Sequence, residues 1–193
     1  MIKRILVTLA AIGLLSTMAG LTSLAVFTDQ ATIGANAFDT GSVTISTTPT
    51  TALVTFTGMA PGDSVQPSAG VVVSNDGSLE LRYAISSTTT EDVLAAALDL
   101  TIKTIDVTTP GTPCDDFDGS STLYGPADLG LIAGVNLVGS SAQGADAGDR
   151  VLAASATETL CFRVELPSVA TGPEGASTTA TFTFDAEQTQ SNP

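Results

Sequence analysis

The stretch "LELRYAI", residues Leu79–Ile85, alternates strictly between large apolar side chains and other side chains. The apolar positions are Leu79, Leu81, Tyr83 and Ile85, and the positions between them are Glu80, Arg82 and Ala84. Successive side chains of a β-strand point to opposite faces of the sheet. The spacing therefore predicts a strand with one buried and one solvated face.

The same period of two recurs elsewhere in the chain. Leu160–Leu166 and Ala180–Ala186 each alternate over seven residues, and the shorter candidate strands are Ser42–Thr47, Ala52–Thr57 and Gly70–Ser74. These segments are typical of strands that cover a core on one side.

A further candidate strand, Leu98–Val107, changes parity along its length. Leu100 and Ile102 are in step, whereas Ile105 and Val107 fall on the opposite parity. An extra residue in one strand shifts its alternation, so we expect a β-bulge near Thr104.

Turn residues separate these segments. Pro61-Gly62 is typical of a reverse turn, and Asp76-Gly77 predicts a two-residue hairpin loop between its flanking strands, because a type I′ turn needs positive φ at both positions. Seven or more short strands joined in this way predict an all-β fold, a jelly-roll-like antiparallel β-sandwich.

Two regions depart from the strand pattern. Glu91–Leu98, "EDVLAAAL", predicts one short helix with acidic residues at its N-terminus, where the helix dipole favours them. The region from about 110 to 155 is rich in Gly, Ser, Ala and Asp. It predicts a long loop insertion with a short strand around Leu129–Val138.

The N-terminus has the pattern of a secretion signal. The basic pair Lys3-Arg4 precedes the apolar run Ile5–Leu15, and small residues lead to a candidate cleavage site after Ala25. The alternative is a retained membrane anchor, because the uncharged stretch Ile5–Val26 is long enough to span a bilayer. Cleavage predicts a signal peptide at 1–25, an N-terminal extension at 26–40 and a sandwich domain at 41–193.

The charge balance restricts the classes of partner. Residues 1–25 contain two of the six basic residues and none of the 20 acidic ones, so a mature chain of 168 residues has a formal charge of −16. Such a surface repels nucleic acid and anionic lipid. We therefore expect a secreted protein, in the extracellular matrix or at the cell surface, that binds neither nucleic acid nor, after cleavage, a membrane.

The two cysteines, Cys114 and Cys161, both lie in the exported part of the chain. An even number of cysteines in an oxidising compartment predicts one disulfide. Cys161 has the parity of the solvated face in its strand. We therefore expect the bridge at the surface of the sandwich rather than in its core.

Catalytic and metal-binding patterns are sparse. The sequence contains no histidine, which excludes Ser-His-Asp and Cys-His catalysis and the H-E-x-x-H zinc motif. No catalytic residue and no cofactor is predicted. In "CDDFDGSS", Asp116 and Asp118 match two ligand positions of a calcium loop, but the twelfth position is Gly125 instead of Glu. The alternative is an ordinary polar turn.

Three segments carry a family resemblance. They are "AVFTDQATIGANAFDTGSVTIS" from Ala25, "MAPGDSVQPSAGVVVSNDGSLELRYAIS" from Met59, and the pair "LCFRVELP" and "STTATFTFDAEQTQSN" from Leu160 and Ser177. In this order and spacing they resemble the TasA/camelysin family of secreted fibre proteins. The resemblance implies a precursor processed by a dedicated signal peptidase and a jelly-roll subunit of fibres in a biofilm matrix.

The N-terminal extension is the predicted assembly element. Its spaced apolar side chains, Phe27, Ile33 and Phe38, would fill an open groove in a neighbouring copy as a donated strand, as the resemblance implies. The alternative is that the extension pairs with its own sheet. The chain itself is then the main partner, with other matrix or cell-surface proteins as further partners.

Two other functions remain open at this point. Some relatives are named metallopeptidases, but without histidine a zinc site here would need carboxylates. A monomeric cell-surface adhesin or coat protein with the same fold is the other alternative.

Overall fold

Strands form nearly all of the regular structure in a computed structural model that describes residues 40–51, 53, 58–105, 112–115, 117, 121–170, 174–190 and 192. The strands in these ranges are β1 Ile45–Thr48, β2 Ser64–Val65, β3 Val71–Asn75, β4 Leu81–Thr89, β5 Asp99–Thr104, β6 Thr122–Asp128, β7 Val135–Val138, β8 Arg150–Leu152, β9 Thr157–Glu165 and β10 Ala180–Gln188. All belong to the unit Thr40–Pro193.

The strands form two antiparallel sheets. Sheet A has the order β1-β3-β9-β5-β6, and β2 pairs with the C-terminal end of β9. Sheet B has the order β10-β4-β7, and β8 pairs with the first residues of β4. The predicted all-β sandwich is confirmed.

The core lies between the two sheets and uses the predicted alternation. Leu81 and Ile85 from β4 and Leu100 and Ile102 from β5 are fully buried. They pack against the apolar side chains of β9 and β10 that point into the sandwich. The rings of Phe162 on β9 and Phe182 on β10 lie 5.1 Å apart. Burial of these side chains is the main stabilising contribution to the fold.

The second face of β4 is not solvated, contrary to the prediction. Arg82 and Ala84 are 6% and 3% exposed. The 140–149 loop covers this face, where Gly144 N donates to Glu187 Oε1 at 3.0 Å and Arg82 Nε donates to the same oxygen at 2.5 Å. Strand β4 is therefore buried on both faces, because it pairs with β10 and this loop covers the face that its alternation predicted to be solvated.

Asp76-Gly77 does not form the predicted hairpin, because β3 and β4 belong to different sheets. The chain crosses between the sheets here, and the buried Asn75 holds the crossing: its Oδ1 accepts from Gly77 N at 2.9 Å and its Nδ2 donates to Leu79 O at 2.8 Å. A Cβ at Gly77 would lie 2.4 Å from Ser42 O. Close approach of the backbone, and not positive φ, explains this glycine.

The predicted turn at Pro61-Gly62 is confirmed. Gly62 has φ +97° and Asp63 N donates to Ala60 O at 2.9 Å. The candidate strand Ala52–Thr57 lies outside the described residues except for Leu53.

The predicted helix at Glu91–Leu98 is wrong: only Ala95–Ala97 is helical, as a 3-10 turn. The Glu91 carboxylate accepts from the backbone N–H groups of the next turn, with distances of 2.9 to 3.1 Å to the nitrogens of Val93, Leu94 and Ala95. The turn cannot continue, because Leu98 is already extended and Asp99 begins β5.

The region 110–155, predicted as a loop insertion, supplies three strands. One of them, β6, forms an edge of sheet A, and the other two, β7 and β8, pair with β4 in sheet B. β7 and β8 are short, and Gly125 and Pro126 interrupt the alternation in β6, so the pattern on which the prediction depended is missing. β7 lies within the short strand expected around Leu129–Val138.

The predicted bulge near Thr104 is also misplaced. The irregularities occur where β5 pairs with β6, between Leu100 and Lys103, and the extra residues are on β6. One lies beside Gly125, whose φ is +76° and whose Cβ would meet Leu100 O at 1.9 Å.

Candidate functional site

Several predicted site residues lie outside the described residues. These are the assembly residues Phe27, Ile33 and Phe38 and the calcium candidates Asp116 and Asp118. Within the described ranges, no three His, Cys, Asp or Glu side chains lie close enough together to hold a metal ion.

Cys114 and Cys161 form the predicted disulfide, with their Cα atoms 5.3 Å apart. The prediction that it lies at the surface is wrong, because the two residues are 0% and 2% exposed. They form a second apolar cluster with Phe117 and the partly buried Ile105, separate from the main core. The cluster lies on the outer face of sheet A. The face on which Cys161 lies was therefore predicted correctly, whereas its exposure to solvent was not.

The segment that carries Cys114 folds over the outer face of sheet A. Cys114 N donates to Ser68 O at 3.0 Å, and Gln66 Nε2 donates to Asp115 O at 2.5 Å. Ile105 packs on this cluster. Its change of parity therefore reflects a second apolar environment, not a bulge.

Phe117 brings two of the few cationic groups together beside this cluster. Lys103 Nζ lies 4.9 Å from the ring centroid and donates to Phe117 O at 2.9 Å. The Arg163 guanidinium carbon lies 5.9 Å from the same centroid, and Arg163 Nη2 pairs with Glu165 at 2.6 Å. Their contacts bind the segment that carries Cys114 and Phe117, referred to here as the covering segment, to the sheet.

Three acidic residues lie side by side at one end of this face. Asp99 is opposite Glu165 on β9 and opposite Asp128 on β6. Like charges directly opposite one another destabilise a sheet. Arg163 pairs with Glu165 in this row. Salt screens the repulsion that remains, so we expect sheet A to be more stable at high ionic strength.

A polar network joins the two sheets inside the sandwich. The Tyr83 hydroxyl on β4 donates to Glu158 Oε1 on β9, and Arg150 Nη2 on β8 pairs with Glu158 Oε2 at 2.6 Å. Burial, followed by the hydrogen bond to Glu158, raises the pKa of Tyr83. The phenol therefore stays protonated and acts as a fixed donor.

The long edge strand β10 is the feature best suited to bind another chain. All nine of its residues pair with β4, and no described strand pairs with its other side. Phe182 and Phe184 pack against the core but remain partly exposed. Among the described residues, this edge has backbone hydrogen-bonding groups without a strand partner beside half-covered aromatic side chains, which is what strand addition requires.

The edges of sheet A are less suitable. β1 has only four residues and is followed by Pro49, and β6 contains Pro126 and two register irregularities. Proline, bulges and shortness are the usual protections of an edge strand. β10 has none of them. Alternation predicted β10 as a strand, but no local pattern marks a strand as an edge.

No helix among the described residues is long and apolar enough to cross a bilayer. A family model described as camelysin metallo-endopeptidase matches residues 1–104, more than half of the chain. No curated protein matches this chain.

Proposed function

Because this chain belongs to the TasA/camelysin family, whose members are secreted or cell-surface proteins, we propose that it is a structural subunit of extracellular fibres. The subunit polymerises through its N-terminal extension, which adds as a strand to a neighbouring copy. The fibres form part of a biofilm matrix or of the cell surface.

The edge of β10, with which no described strand pairs, is the observation that supports this proposal best. A donated strand there would hydrogen-bond to a nine-residue edge without proline, and its apolar side chains would cover Phe182 and Phe184. Residues 26–38 precede the sandwich and carry apolar side chains at 27, 33 and 38. Donor and acceptor are different surfaces, so the contact does not close on itself and generates a filament.

Electron microscopy of the mature protein tests the proposal. We expect fibres from the unaltered chain, and soluble β-rich monomers after deletion of residues 26–38. Replacing both Phe27 and Phe38 with Asp should act in the same way, because a charge in an apolar groove has no partner. Ala31→Asp, within the same segment, is the matched control for added charge. Fibres that survive the double change, together with a destabilised monomer, would show that the segment pairs with its own sheet.

A secreted metallo-endopeptidase is the second candidate, because the matching family model has that description. The chain has no histidine, and its two cysteines are joined to each other. A zinc site would therefore have to use carboxylates. Incubation of the mature protein with casein, with and without zinc, tests this function. Chelator-sensitive cleavage that persists through repurification would support it.

A cell-surface adhesin or coat protein is distinguished by electron microscopy, because such a protein would remain monomeric and form no fibres.

A further inference from the structure

A cleft of about 300 Å³ lies on the outer face of sheet A, beside the covering segment. Its polar lining comes from alternate residues of β5 and β9 and from one residue of β6: Asp99, Thr101, Lys103, Arg163, Glu165 and Thr122. Alternate residues of a strand share one face of the sheet, so neighbouring strands bring these side chains together. We refer to this space as the outer cleft. Its volume suits one small molecule or one unit of a larger one.

The charges around the outer cleft are balanced, unlike those of the chain as a whole. The chain has six basic residues, and the two in 1–25 leave four against 20 acidic residues. Two of these four, Lys103 and Arg163, line the cleft. Two acids, Asp99 and Glu165, line it as well. A ligand with a net charge of either sign would meet two side chains of its own sign. The lining therefore favours a neutral ligand that is rich in polar groups.

Arg163 and Glu165 present a donor and an acceptor side by side. Arg163 Nη2 donates to Glu165 Oε2 at 2.6 Å, and the two side chains are 36% and 38% exposed. One hydrogen bond uses only part of the capacity of a guanidinium or a carboxylate. Arg163 Nε is buried and has no acceptor among the described residues, so the protein itself satisfies this guanidinium incompletely. Two adjacent hydroxyl groups fit the pair, since one can accept from the guanidinium while the other donates to the carboxylate.

Lys103 and two threonines extend this set of hydrogen-bonding groups. Lys103 Nζ donates to Phe117 O at 2.9 Å and lies 4.9 Å from the centre of its ring, so the ammonium is held beside the cleft. Phe117 is only 7% exposed, and its ring therefore positions the two cations instead of offering a stacking surface. Thr101 and Thr122 add hydroxyls that both donate and accept. A ligand is recognised here through hydrogen bonds.

The backbone beneath the outer cleft is already paired. β5 pairs with β9 on one side and with β6 on the other. An extended peptide binds through main-chain groups at the edge of a sheet, and the floor of this cleft is not an edge. Recognition is therefore left to side chains. A ring that carries several adjacent hydroxyls matches their neighbouring donors and acceptors, and sugar units have this chemistry.

We propose that the outer cleft binds one sugar unit of a neutral polysaccharide. Arg163 and Glu165 bind two neighbouring hydroxyls, and the other polar side chains of the lining bind the rest. The cleft lies on sheet A, whereas the proposed donated strand adds to β10 in sheet B. Binding of a polysaccharide is therefore a separate function, which does not depend on polymerisation.

A surface biosensor with immobilised dextran, mannan and galactan, three neutral polysaccharides, tests the proposal on the mature protein. We expect binding to at least one of them. Its affinity should be the same in about 0.05 M and about 0.5 M NaCl, because salt screens attraction between charges but not hydrogen bonds to neutral groups. Polygalacturonate, which is anionic, is the charged comparison. Binding to none of the neutral polymers, or to polygalacturonate alone, would overturn the proposal.

Substitutions assign the binding to the outer cleft. Arg163→Gln should weaken it about tenfold, since this change removes a charge-assisted donor. Thr101→Val removes one hydroxyl without changing a charge and should weaken it about threefold. Arg150→Gln is the matched control, because Arg150 pairs with Glu158 outside the cleft, and the affinity should stay unchanged. Circular dichroism of each variant checks that the fold persists. An unchanged affinity for Thr101→Val and Arg163→Gln, or an equal loss for Arg150→Gln, would overturn the assignment.

Discussion

Removing the Cys114–Cys161 disulfide should lower the free energy of unfolding by about 4 kcal/mol without unfolding the sandwich. The bridge joins residues 47 positions apart, and the chain-entropy model gives this magnitude for a loop of that length. For a chain of this size the loss corresponds to a decrease in Tm of about 10 °C. The fold should persist because the bridge lies in its own cluster, outside the core between the sheets.

The double change Cys114→Ala and Cys161→Ala is the preferred perturbation, because it leaves no unpaired thiol. Urea unfolding of the mature protein, followed by circular dichroism, gives the midpoint and slope. Far-ultraviolet spectra should keep their β character. The covering segment should loosen, since Phe117 and Ile105 lose their buried neighbours. Ala147→Ser, at an exposed position, is the control for an unrelated substitution.

Two results would refute this reasoning. An unchanged urea midpoint would mean that the bridge does not restrict the unfolded chain. Complete loss of β structure would mean that the outer cluster is part of the core. The burial of both cysteines adds a further check: neither sulfur should react with a reductant and an alkylating agent until the protein is unfolded.

Three other predictions concern charged and polar contacts. Tyr83→Phe should lower the free energy of unfolding, measured in urea, by about 1 kcal/mol, because Glu158 loses a buried donor. An unchanged free energy of unfolding would show that this hydrogen bond does not stabilise the contact between the sheets. The hydrogen bond from Arg82 lowers the pKa of Glu187 below its ordinary value of 4.5. The associated stability is therefore present above that value and lost as the pH falls through the lower, folded-state value, so Glu187→Gln should flatten the decline in Tm as the pH falls below about 4.5. Asp99→Asn should stabilise the protein by about 0.5 kcal/mol at low salt, since it removes the middle charge of the acidic row, and a gain that persists in about 1 M NaCl would contradict the role of repulsion.

The strand pattern predicted the core because alternation is a local property. Leu81, Tyr83, Ile85, Leu160 and Phe162 are buried as expected. Where local and tertiary effects differ, the prediction failed. Glu91–Leu98 has helical composition, but pairing of β5 with β9 extends the chain from Asp99 and leaves a single turn.

The family resemblance, the excess of acidic residues, the disulfide and the all-β class followed from the sequence, because composition and a period of two do not depend on which strands are neighbours. Tertiary structure alone decided that β3 and β4 belong to different sheets, that Cys161 is buried on an outer face, and that β10 is an edge. The exposed apolar residues Val93, Leu131 and Ile132 also come near one another only in the fold, since the hydrogen bond between their loops joins Asp92 and Ile132, which are 40 positions apart in the sequence. Alternation specifies which side chains share a face of one strand. Which strand lies beside it, and what covers its second face, is set by long-range packing that no local pattern contains.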